Sequence, residues 1–276
     1  MTTGGLGPRV DAHHHIWRVQ RGDYHWLQPT WPIYRDYELD DLRPLLSDIS
    51  ATVLVQAAAT EAETAFLLDA ARNSGGLVGA VVGWMDLGAP GAADRVRQLS
   101  GEPLLRGLRP MLQDIADFGW ILRPELRAAL AAMSRAGLSL DLLIVPRHLP
   151  LVPELAQRHP DIRLVIDHGA KPAIAARTFE PWASDIARVA RESHAFCKLS
   201  GLVTEAGPRW TEDDIRPYIL HLLECFGPQR LMWGSDWPVV DMAGGYRAWR
   251  AVAENCVPAE AATAVFGETA RAFYRF

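Results

Sequence analysis

Lysine is almost missing from this chain of 276 residues: of 28 basic side chains, only Lys171 and Lys198 are not arginine. The two are either chance survivors or positions where a compact ammonium with three donors has a use. Cysteine is nearly as scarce. Cys197, Cys225 and Cys256 are an odd number, far apart and without CxxC spacing. That argues against a disulfide framework or a cysteine-based zinc site, and it leads us to expect a reducing cytoplasm. A surplus of positive charge is also lacking; the net charge is -5, which excludes an ordinary nucleic-acid reader. No apolar run reaches the roughly 18 residues needed to span a bilayer, and the Gly-rich stretch Met1–Pro8 has none of the regions of a signal peptide. No linker, repeat or charge block divides the sequence, so a single domain over 1–276 is expected.

What is present is a regular alternation. Eight short apolar, β-rich runs lie at Arg9–Trp17, Ile49–Ala58, Leu77–Leu87, Leu104–Gln113, Leu138–Arg147, Ile162–Pro172, Ala195–Leu202 and Arg230–Pro238. Helical patterns such as Glu61–Asn73, Arg123–Ala136 and Asp213–Phe226 separate them, with Gly75-Gly76, Gly137 and Gly227-Pro228 as stops. Eight such units predict a (β/α)8 TIM barrel of the α/β class. An open doubly wound sheet would carry a Gly-rich phosphate loop after its first strand, where this chain has Asp11-Ala12-His13-His14-His15. Residues 18–42, rich in Trp and Tyr, read as a long first loop over the barrel mouth.

In such a barrel the active site forms at the carboxyl ends of the strands. His13 and His15, two apart on one strand, share a face and suit a divalent metal or a bound carbonyl. Asp167-His168-Gly169-Ala170-Lys171 ends the sixth run, Lys198 lies on the seventh, and Ser235-Asp236-Trp237 ends the eighth. Gln56 ends the second run, Arg109 and Gln113 the fourth, and Asp141 and Arg147 belong to the fifth. Both lysines therefore fall on the expected catalytic face.

Together these segments resemble the amidohydrolase superfamily, and more narrowly its amidohydrolase-2 sugar-lactonase branch. The resemblance rests on Asp11-Ala12-His13-His14-His15-Ile16-Trp17, Gly107-Leu108-Arg109-Pro110, Asp167-His168 with Lys171-Pro172, Lys198-Leu199-Ser200-Gly201 and Trp233-Gly234-Ser235-Asp236-Trp237-Pro238, and runs on to the terminal Phe266–Tyr274. It implies a lactone of a sugar acid, such as fuconate, galactonate or rhamnonate, as the small-molecule partner. Two departures argue against a binuclear centre: the fourth run ends in Arg109 and Gln113 rather than lysine, and the fifth has His148 only beyond Pro146. One zinc held by His13, His15 and Asp236, with His168 as a further candidate, and a metal-independent site both stay open.

For lactone opening, Asp236 is the expected general base, and His168, Lys198 and Arg109 the expected groups around the oxyanion. Trp17, Trp26 and Trp237 are expected to stack on sugar, with Gln56 and Arg147 as further substrate contacts. No nucleophile elbow supports a serine mechanism. A metal-dependent decarboxylase, a pyrone-dicarboxylate lactonase and a non-enzymatic sugar-binding barrel are the alternatives. Homodimerisation is left open.

Overall fold

The computed structural model describes residues 8–276, so all of Met1–Pro8 except Pro8 lies outside the described residues. Eight parallel strands form one sheet in sequential order: β1 (Arg9–His14), β2 (Ile49–Val55), β3 (Val78–Gly83), β4 (Leu105–Leu108), β5 (Ser139–Leu142), β6 (Arg163–Ile166), β7 (Phe196–Leu199) and β8 (Leu231–Trp233). The ends meet through a parallel bridge between His14 and Trp237. The His15 amide donates to the Trp237 carbonyl at 2.7 Å, and the Asp236 amide to that of His13 at 2.8 Å. The architecture is the expected (β/α)8 barrel.

Among the described residues, seven helices of seven residues or more run along the outside: α1 (Glu61–Arg72), α2 (Ala92–Leu99), α3 (Arg127–Ala136), α4 (Val152–Arg158), α5 (Trp182–Glu192), α6 (Glu212–Phe226) and α7 (Tyr246–Cys256). Local chemistry sets their ends. The Thr60 hydroxyl accepts from the Glu63 amide at the start of α1, Thr211 and Asp214 form a capping box on α6, and Gly137 closes α3 in the left-handed region. The observed strands are shorter than the apolar runs. In the fifth, a 3-10 turn over Pro146–Leu151 follows soon after the strand, since proline cannot donate to a ladder.

Two apolar layers follow from the period-two alternation of strands. Leu54, Val81, Leu108, Leu140, Leu164 and Leu199 face outward into the helix layer. Val10, Ala12, Val53, Ala80, Val82 and Met232 fill the barrel with Ala270, Phe273 and Tyr274 of α8 (Thr269–Tyr274). The C-terminal helix thus contributes the packed floor. No helix among the described residues is long and apolar enough to cross a membrane, and the three cysteines are free thiols.

Candidate active site

A cavity of about 300 Å³ opens at the carboxyl ends of the strands. Its polar floor is His15, Arg109, His168 and Asp236, its walls include Gln113, Asp114, Lys171 and Thr204, and Met111, Leu143, Val239 and Met242 supply apolar surface. Trp26 and Trp31 cover it from the first loop. Trp26 is pinned by a 2.7 Å bond from its indole N–H to the Ala57 carbonyl.

Backbone irregularities aim the floor residues. The register of β1 against β2 slips between Asp11 and His14, the type of bulge that redirects side chains beside active sites. His168 and Asp236 both have positive φ, 55° and 58°, a strained conformation that side chains adopt where their surroundings hold them. Glycine makes room twice. A Cβ on Gly234 would lie 2.6 Å from the Cβ of His13, and one on Gly201, at φ +66°, would lie 2.6 Å from Nδ1 of His168. Buried Asp11 accepts from the amides of His13 at 3.2 Å and Ser235 at 2.8 Å, tying the first strand to the last.

Four ligand-type atoms converge. Nε2 of His15 lies 3.2 Å from Nε2 of His13 and 3.2 Å from Oδ1 of Asp236. That Oδ1 is 3.7 Å from Nε2 of His13 and 4.0 Å from Nε2 of His168. Burial alone would raise the Asp236 carboxyl, but the imidazoles of His168, His15 and His13 outweigh it and hold it well below the usual range. Burial pushes His168 down to about 4 against the pull of Asp236 and Asp167, so its ring is neutral at pH 7, and its Nδ1 sits 2.9 Å from the Ser200 hydroxyl.

These spacings fit a zinc ion. Bonds of about 2.0–2.1 Å in tetrahedral geometry separate ligand atoms by roughly 3.3–3.4 Å. The His15 Nδ1–H donates to the Val55 carbonyl at 2.8 Å, which leaves a lone pair on Nε2 beside the Asp236 carboxylate, two acceptors in need of a proton or a cation. His13, His15 and Asp236 would be the ligands, while His168 clusters separately with His13 and Asp167.

Beneath the floor lies a buried charge network. Lys198 is wholly inaccessible; it donates to Asp141 Oδ2 at 2.8 Å and lies 3.1 Å from Asp167 Oδ1 and 3.2 Å from His13 Nδ1. Tyr274 donates to Asp141 Oδ2 at 2.5 Å from the barrel floor. Arg109 donates to Asp167 Oδ2 at 2.9 Å, and Gln56 donates to the Arg109 carbonyl at 2.8 Å. Burial would raise Asp167, but Lys198, His13 and Arg109 hold it well below the carboxylate range.

The structure brings Asp236, His168, Arg109, His15 and Trp26 to the cavity. His13 is buried immediately behind it. Lys198 and Gln56, expected to meet substrate, are instead fully buried and reach the site through His13 and Arg109. Trp17 is buried too, bonded to the Arg35 carbonyl at 2.8 Å, and packs edge-on against Trp26 with ring centroids 5.5 Å apart. Trp237 is buried against Tyr37, and Arg147 is not among the cavity residues. Trp31, Gln113 and Lys171 line the cavity; their segments carried that signal. Asp114, Thr204 and Glu63 were missed. The Glu63 carboxylate accepts from the amides of Ala57, at 3.1 Å, and Ala58, at 2.6 Å, and burial raises it to about 7.

A parallel barrel with imidazoles from its first and sixth strands and a carboxylate after its eighth defines a hydrolase-type centre of the amidohydrolase kind. The chain belongs to the amidohydrolase family of the amidohydrolase-2 type, whose model matches residues 10–276. It is 44% identical to an L-fucono-1,5-lactonase of Burkholderia ambifaria, over 97% of this chain and 95% of that protein. It is 37% identical to an L-fucono-1,5-lactonase of Burkholderia multivorans, over 96% and 95% of the two chains. A crystal structure of an amidohydrolase from Burkholderia multivorans with bound zinc superposes with a TM-score of 0.90 at 38% identity, covering 98% of this chain and 99% of that one.

Proposed function

We propose that the chain hydrolyses the lactone of a sugar acid, with L-fucono-1,5-lactone as the leading substrate. The observation that carries this reading is the Asp236 carboxylate, kept ionised at the floor of a tryptophan-covered cavity and facing three imidazoles. The two relatives named for that activity support it.

A lactone is an ester, so the carbonyl carbon is the point of attack. Asp236 takes a proton from a water as its oxygen bonds to that carbon. The negative charge that builds on the carbonyl oxygen faces N–H donors of Arg109, and of His168 when Nδ1 accepts from Ser200 and Nε2 carries the proton. Collapse breaks the bond to the ring oxygen, which receives the proton held by Asp236, and the product is an open hydroxy acid. Zinc held by His13, His15 and Asp236 would supply Lewis-acid polarisation of the ester. Trp26 and Trp31 exclude bulk water and offer flat faces to the sugar.

Cation placement favours a neutral lactone over a dicarboxylate. Arg109 is already paired with Asp167 and Arg147 is not among the cavity residues. Lys171 is the remaining cation on the cavity wall, 3.9 Å from Glu205.

The test is proton release from a panel of aldonolactones, followed with a pH indicator, by wild type and Asp236→Asn, with and without chelator. Turnover of 1,5-lactones that drops at least about 10²-fold in the variant is expected. Unchanged turnover by Asp236→Asn would remove the carboxylate from this role, and carbon dioxide release from an aromatic acid would move the site to decarboxylation.

A further inference from the structure

We infer that Lys198 sets the tautomer of His13, holding its ring proton on Nε2 and so weakening the site's grip on a divalent cation. Lys198 is a positioning residue, buried behind the ring and out of reach of the cavity. An ammonium has three donors and no acceptor. Its Nζ lies 3.2 Å from Nδ1 of His13, and an N–H there would set donor against donor. The competing acceptor for a proton on Nδ1, Asp167 Oδ1, is farther away at 3.6 Å.

The other nitrogen gives the same answer. Nε2 of His13 is 3.2 Å from Nε2 of His15, which in the neutral ring is an acceptor because the opposite nitrogen of His15 donates to the Val55 carbonyl. The rival donor, Nη1 of Arg109, lies farther off at 3.4 Å and already serves Asp167 at 2.9 Å. At each nitrogen the shorter contact selects Nδ1 as acceptor and Nε2–H as donor.

The ammonium is itself held in place. Asp141 accepts from Lys198 at 2.8 Å, from Tyr274 at 2.5 Å and, through its other oxygen, from Ser139 at 2.8 Å. A divalent cation needs the Nε2 lone pair. To bind one, the ring proton must move to Nδ1, where Lys198 stands, and Asp167 must become the outer partner of the ring. Lys198 therefore opposes the tautomer that a metal requires, while Asp167 is placed to support it once the lysine is gone.

Two measurements test this, and neither uses a lactone, so their failure is distinct from failure of the proposed activity. Neutron diffraction from metal-free wild-type crystals is expected to show a deuteron on Nε2 of His13 and none on Nδ1; the reverse overturns the inference without any variant. Calorimetric titration with zinc alone compares wild type with Lys198→Met/Asp141→Asn, which removes one buried charge of each sign. Binding about 10–100-fold tighter in the double variant is expected; equal or weaker binding overturns the role assigned to Lys198.

Discussion

Replacing Gly201 by alanine adds one methyl group to the loop after β7 and gives a sharp test of where His168 must stand. The added Cβ would lie 2.6 Å from Nδ1, 2.8 Å from Cγ and 3.0 Å from Cβ of His168. These atoms are the root and body of a ring fixed by its own backbone, so rotation of a flexible tip cannot relieve the clash. The backbone at Gly201, φ +66°, costs an L-residue about 1–2 kcal/mol. At about 2–4 °C per kcal/mol for a chain of this size, the backbone cost alone lowers the thermal midpoint by about 2–8 °C, and the clash adds to it. Displacing His168 also removes the 2.9 Å contact with Ser200 and with it one donor to the developing charge, a loss of about 10²–10³ in kcat. Steady-state kinetics and scanning calorimetry on the same preparation separate the two effects. A variant that melts as expected yet turns over at the wild-type rate would refute the role given to His168.

Two further outcomes follow from the lid and from the buried acid beside it. Trp26→Ala should raise KM roughly 2- to 12-fold with a smaller change in kcat, as expected if a stacking surface worth about 0.5–1.5 kcal/mol is lost; a fall in kcat alone would contradict a binding role. Glu63, ordinarily ionising near 4.5, is raised to about 7 by burial in the folded chain. The folded state therefore holds more protons than the unfolded one between these values, and the contribution of Glu63 to stability is present below about 4.5 and lost as pH rises through about 7. Glu63→Gln should consequently gain stability relative to wild type as pH rises across that window in urea titrations, and a pH-independent difference would refute the assignment.

The barrel was legible because its signals are local. Apolar runs, glycine stops and the absence of a phosphate loop lie within a few residues of one another, and the order of the strands follows from right-handed crossovers. That His13, His15, His168 and Asp236 meet was legible for the same reason, since the ends of strands in a barrel share one rim. The layer below was not. Lys198 was expected at the oxyanion, but whether an inward side chain reaches the mouth or stops one layer short depends on its height in the barrel, which sequence spacing does not report. Tyr274 meets Asp141 across 133 positions of sequence with no pattern linking them. Thr60-x-x-Glu63 has the form of a helix cap, and Thr60 does cap α1; nothing in that motif shows that the glutamate turns instead to the Ala57 and Ala58 amides. The tryptophans misled in the opposite way. Trp17 and Trp26 look alike in sequence, yet one props up the other from below.

The seam between β8 and β1 carries a temporal consequence. His13 and Asp236 come from the first and last staves and are joined by the amide of one and the carbonyl of the other. No half-barrel, and no intermediate with an open sheet, can therefore assemble the proposed reacting centre. In a refolding experiment, catalysis should return only with the final ring-closing event, later than helix content, so turnover acts as a clock for closure of the cylinder.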